Sequence, residues 1–120
     1  MTIAEVISKV NSTKPNQFSD DQLTGFIDTL EQLVQAEIMQ IPVAERVGYT
    51  WANNQDIELL VKAPYDSCYL FYVSAMIDYH SQEFDSYNHN MIHFNTLFDD
   101  YKKSYVREAT FVSPRIQNYW

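Results

Sequence analysis

Apolar positions spaced three and four residues apart recur through most of the chain, and polar interruptions divide them into helices. Ile3, Val6, Ile7 and Val10 fall on one face of a first helix. Thr2-Ile-Ala-Glu5 has the spacing of a capping box, in which Thr2 satisfies a first-turn amide and Glu5 reaches back to the cap. That helix should stop in Asn11-Ser-Thr-Lys-Pro-Asn16, where turn formers and Pro15 break the pattern. Ser19-Asp-Asp-Gln22 forms a second capping box, with Phe18 and Leu23 at the two positions of a hydrophobic staple. Leu23, Phe26, Ile27, Leu30, Leu33, Val34, Ile38 and Ile41 then make one stripe, and Asp28, Glu31, Gln32 and Gln35 lie away from it. This predicts a long amphipathic helix ending by Pro42. Gly25 interrupts it at a cost of about 1 kcal/mol relative to alanine, through either close packing or a tolerated defect.

Pro42, Gly48, Asn53-Asn-Gln-Asp56 and Pro64 make residues 42–64 a long connection in which helix is disfavoured, with Ile57-Glu-Leu-Leu-Val61 able to pack as an extended segment. Connections of this length are more often functional than idle, which makes Tyr49 and Trp51 candidate partner contacts. Pro64 suits the first turn of a third helix, and Asp66 its acidic start. Tyr65, Tyr69, Tyr72, Met76 and Tyr79 follow at spacings of four, three, four and three. The remaining faces are apolar too, so this helix should be central, with Asp78 its one conspicuous polar intrusion. The series resumes out of phase as Tyr87, Met91, Phe94, Phe98, Tyr101 and Tyr105. The slip predicts a break near 82–86 and an antiparallel helical hairpin, with a single bent helix as the alternative. Asp85 near the start of this last helix and Lys102, Lys103 and Arg107 near its end complement the helix dipole.

The pattern thus predicts an all-α fold: a small bundle with a long central hairpin, a long connecting loop and an extended C-terminal tail. Residues 1–109 form the helical domain and 110–120 the arm, in which Pro114 blocks further helix. Aromatic anchors favour interfaces, so Phe111, Arg115, Ile116, Tyr119 and Trp120 join Tyr49 and Trp51 as candidate partner-binding residues.

Composition narrows the function. A formal charge of −8 over 120 residues, with only eight dispersed basic residues, disfavours a protein that neutralises nucleic-acid phosphates or docks on an anionic membrane. No apolar run approaches the roughly 20 residues of a spanning helix. Met1-Thr-Ile-Ala-Glu5 lacks the start of a signal peptide, so synthesis in the cytoplasm is expected. Cys68 is the only cysteine and reads as a small core residue. His89 and His93, at i and i+4, would share a helix face, with His80 and Glu83 near the same end. Two histidines without an HExxH or paired Glu-x-x-His pattern leave a metal site incomplete, so neither metal nor cofactor is expected. Asp20–Asp21 and Asp99–Asp100 are adjacent on a helix and do not face each other as an acid/base pair. With two glycines there is no phosphate-cradling loop, and no nucleophile elbow is present; an enzyme is not expected.

Against that background, Glu58-Leu-Leu-Val-Lys-Ala-Pro-Tyr-Asp-Ser-Cys-Tyr69, Tyr72, Ala75-Met-Ile-Asp-Tyr79, Glu83-Phe-Asp-Ser-Tyr-Asn-His89 and Phe94-Asn95 resemble the helical head-to-tail connector, or adaptor, proteins of tailed bacteriophages. The similarity covers residues 57 to about 105. It implies a virion structural protein in the neck between capsid and tail, forming a ring, commonly dodecameric, under the portal protein. A stopper or other tail-side neck protein would lie below, and DNA would pass through the lumen without specific binding. The resemblance also implies that loops and the C-terminal segment engage the portal and neighbouring subunits. Surplus negative charge would repel phosphate and let DNA slide. Asp66, Asp78 and Asn88 read as intrasubunit caps or buried polar groups before they read as contacts. The competing reading is a small cytoplasmic helical protein that binds and regulates another protein.

Overall fold

A computed structural model describes residues 1–111, with side chains through Glu108. The chain is mainly helical. In order come α1 (Ile3–Thr13), α2 (Asp20–Leu33), a π-turn (Val34–Ile38), a 3-10 turn (Val43–Glu45), the one-turn α3 (Trp51–Asn54), α4 (Cys68–His80) and α5 (Phe84–Phe111). Among the described residues the only β-type pairing is an isolated antiparallel bridge between Thr2 and Glu58. No described helix is long and apolar enough to cross a membrane.

Both predicted capping boxes form. Thr2 and Glu5 close the start of α1, and Ser19 and Gln22 that of α2. Helix α1 buries Ile3, Val6, Ile7 and Val10, as its periodicity requires. Helix α2 departs from expectation in three ways. Regular α geometry ends at Leu33, a widened turn carries the chain to Ile38, and Gln40 at φ 54° finishes it before Pro42. Leu33 falls at the outer edge of the stripe and is exposed. Glu31 and Gln35, placed off the stripe by their polarity, are 0% and 2% exposed. Their burial has a plain cause: α2 is covered on one side by α1 and α4 and on a second by the connection.

The start of α4 also differs. The Ala63–Pro64 peptide is cis, and residues 62–68 are spent on turns, with Tyr65 N–H donating to Lys62 C=O (3.0 Å) and Cys68 N–H to Tyr65 C=O (3.1 Å). Pro64 and Asp66 therefore precede the helix rather than occupying its first turn.

The register slip between Tyr79 and Tyr87 coincides with a break at residues 81–83, where Gln82 takes φ 60°. Ring pairs Tyr79–Tyr87, Tyr72–Phe94 and Phe71–His93 join α4 to α5, and Tyr65, just before α4, meets Tyr101. Helix α5 continues to Phe111, past the Ala109 boundary read from the sequence, which leaves Arg107 a turn short of its end. The core draws on α1, α2, α4 and α5, and on Tyr49, Leu59 and Val61 of the connection.

Candidate functional site

Three features carry most of the polar and aromatic chemistry: a polar seam under the connection, a charged junction of three helices, and an exposed aromatic surface at the α4–α5 turn.

The seam starts from the residues of α2 that the pattern set apart. Asp28, Glu31, Gln32 and Gln35 repeat at i, i+3, i+4 and i+7, a helical stripe in its own right. An irregular segment laid on that face brings backbone groups that need partners. Asp28 Oδ1 accepts from Tyr49 N–H (2.9 Å), and Glu31 Oε2 from Leu60 N–H (3.1 Å). The amides of Gln32 and Gln35 both donate to Val47 C=O (2.7 and 2.9 Å), while Gln35 Oε1 accepts from Val47 N–H (2.8 Å). Tyr69 of α4 completes the seam: its hydroxyl donates to Glu31 Oε1 and accepts from Val61 N–H (2.9 Å). Burial pushes the Glu31 carboxyl above the usual carboxylate range, while hydrogen bonds from Tyr69, Leu60 and Tyr49 pull the other way without cancelling it. Burial, reinforced by the Glu31 charge, raises the Tyr69 phenol strongly and the Tyr49 phenol to about 12.

Beside it, Leu59 N–H donates to Met1 C=O (3.0 Å) and Ala4 N–H to Gln55 C=O (3.0 Å), and the N-terminal ammonium pairs with Glu58. The predicted extended segment 57–61 is thus anchored on both sides, with Leu59 and Val61 in the core.

Asp78 is 0% exposed, and three helices converge on it. Lys14 at the end of α1 pairs with it at 2.6 Å, and Ser86 Oγ and Asn90 Nδ2 of α5 donate to its other oxygen at 2.7 and 2.8 Å. Burial favours the neutral acid, but these hydrogen bonds and the Lys14 charge outweigh it and hold the carboxyl below its ordinary range. Asp78 is therefore satisfied inside the subunit. Asn88 is exposed.

The third feature lies at the turn. Phe18 meets Phe26 edge-on at 5.6 Å, Phe26 stacks on His80 at 5.6 Å, and Tyr79 touches His80, Phe84 and Tyr87. Tyr79 and Phe84 remain 54% and 55% exposed. Phe18, Gln22, Gly25, Phe26, Thr29 and His80 line an open cleft of about 470 Å³.

Among the residues singled out from the sequence, Tyr49 is part of the core and 9% exposed. Trp51 is half-buried against that core. The Phe111 side chain, Arg115, Ile116, Tyr119 and Trp120 lie outside the described residues, as does all of the arm beyond the end of α5. His89 and His93 stand edge-to-face at 4.7 Å, and His93 stacks on Phe71. Among the described residues no group of three or more His, Cys, Asp or Glu is placed to hold a metal. Cys68 is buried in the core, and desolvation first, then the Glu31 and Asp66 charges, push its thiol up to about 12.

The Glu31 and Gln35 seam escaped the sequence reading. The available signal was the regular spacing of its four polar residues and the absence of Lys or Arg among them, unusual for a solvated face. No protein-family model, curated protein or solved structure matches the chain.

Proposed function

We propose that this chain is a virion structural protein, a head-to-tail adaptor whose copies form a ring under the portal of a tailed bacteriophage and let DNA pass through the lumen. The reading is carried by one observation: the ordered residues Ala63-Pro-Tyr-Asp66, Ile77-Asp-Tyr79 and Tyr87-Asn88 set into an aromatic helix pair, in the pattern of helical connectors. Supporting it, Asp78 ties the ends of α1, α4 and α5 into one body, and the adjoining aromatic surface is left open. Such a body is suited to assembly through its surface. Its surplus of sixteen acidic over eight basic residues suits a channel wall that does not retain phosphate. The C-terminal arm, with the portal and a tail-side neck protein as partners, completes the proposal.

The test is to mix the full chain with the portal protein encoded beside it and image the product by electron microscopy. Rings on the portal are expected. Failure of the intact chain to join the portal in any stoichiometry overturns the adaptor reading.

A further inference from the structure

His89 and His93 belong to neither the polar seam nor the Asp78 junction, and they lie one turn apart on the same face of α5. Both are exposed, and their ring centroids stand 4.7 Å apart with 74° between the planes. His93 is also stacked on Phe71 of α4, at 5.1 Å and 20°. That contact orders one imidazole in advance, while His89 lies on an open helix face.

The spacing suits a shared metal ion. A transition metal binds an imidazole nitrogen at about 2.0–2.1 Å, which places it about 3.2 Å from the ring centroid, so centroids 4.7 Å apart subtend roughly 95° at a common ion. This is near the right angle of a square-planar or octahedral site and short of the wider angle of a tetrahedron. Edge to face, the rings do not yet aim two nitrogens at one point. Rotation of His89 about χ2, a broad torsion whose axis passes close to the ring centre, supplies the aim and keeps the centroid spacing. The surrounding charge favours a cation: from Phe84 to Asp100, α5 carries Asp85, Asp99 and Asp100 and no Lys or Arg. Among the described residues no third His, Cys, Asp or Glu is placed to complete the set. On an exposed face water fills the remaining positions, which makes such a site weaker and more exchangeable than a closed four-ligand centre without abolishing it.

We propose that His89 and His93 chelate one divalent copper or nickel ion per chain, with water completing its coordination. Copper binds most tightly, because nitrogen sites follow the general order of divalent affinities and the near-right angle suits its tetragonal geometry; zinc binds less well. The site needs neither a second copy nor the portal, so it stands apart from the adaptor reading.

Titration of the full chain with copper(II) chloride in a non-coordinating buffer tests it, read by calorimetry for stoichiometry and by electron paramagnetic resonance for bound nitrogens. One ion per chain with two imidazole nitrogens is expected. His89→Ala and His93→Ala should each weaken binding at least ~10-fold, and His80→Asn should leave it unchanged. His89→Ala is the cleaner variant, since it keeps the Phe71–His93 stack, and circular dichroism should show its helix content intact. Undiminished binding in His89→Ala, an equal loss in His80→Asn, a spectrum with a single bound nitrogen, or one ion per two chains overturns the proposal.

Discussion

Glu31 and Tyr69, 38 residues apart in sequence, are joined carboxylate to phenol at the centre of the core, both at 0% exposure. The Tyr69 hydroxyl serves two elements at once, donating to α2 and accepting from Val61 N–H of the connection. Tyr69→Phe removes both interactions with little change in volume. It strips one donor from a buried carboxylate and orphans a buried amide, at a cost of roughly 2–4 kcal/mol by the usual penalty for unpaired buried groups. Urea unfolding should show that loss, and hydrogen exchange should show it concentrated in residues 57–62. A loss below about 0.5 kcal/mol would mean that water replaces the phenol, contrary to a dry seam.

Glu31 and Asp78 give stability opposite dependences on pH. The Glu31 carboxyl is raised above its ordinary 4.5 in the folded chain, so its contribution is fullest below 4.5 and is lost as pH rises through the folded value. The Asp78 carboxyl is lowered below its ordinary 3.8, so its contribution is present above 3.8 and is lost as pH falls through the folded value. Asp78→Asn should flatten the acid limb of a stability–pH profile, and Glu31→Gln should flatten the fall on its alkaline side. Parallel profiles for wild type and both variants would contradict the assignment.

Among the described residues, Lys14 supplies the only positive charge hydrogen-bonded to the buried Asp78. Lys14→Met leaves that carboxylate with two neutral donors, Ser86 and Asn90. Breaking one side of a buried pair costs about 3–5 kcal/mol, and because Lys14 is partly exposed the expected loss is nearer 2–3 kcal/mol. Adding Asp78→Asn to Lys14→Met should return part of it, since the uncompensated charge is then gone. A double-mutant cycle by thermal unfolding reads the coupling, and strict additivity would refute it.

How far the fold could be read in advance follows from where local and non-local forces act. The caps at Thr2 and Ser19 and the break between Tyr79 and Tyr87 are local in origin, set by spacing within a few residues. The polar face of α2 is different. Whether Glu31 meets water or Leu60 depends on a segment 29 residues away folding back on it, which period alone does not report. Tyr49 shows the same dependence: its burial goes with a backbone N–H bond to Asp28, 21 residues away, which its place in the connection does not report. At α4, turns from Lys62 to Cys68 displaced a helix start that Pro64 suggested. For the aromatic cleft, Phe18, Phe26 and His80 each stood in a recognised series, but their meeting required α2 to pack against α4.

Gly25 settles a question left open by its position inside α2. Its helix is otherwise regular, and a Cβ built there meets nothing within 4 Å, so no neighbour requires its smallness. Nor is its φ positive. What remains is the entropic cost of glycine in a helix interior, and Gly25→Ala should stabilise the chain by about 0.5–1 kcal/mol. Thermal and urea unfolding should agree on that gain. Gained stability would show that glycine at residue 25 serves neither packing nor backbone geometry. Lost stability would show that the open space beside Gly25 is filled in solution.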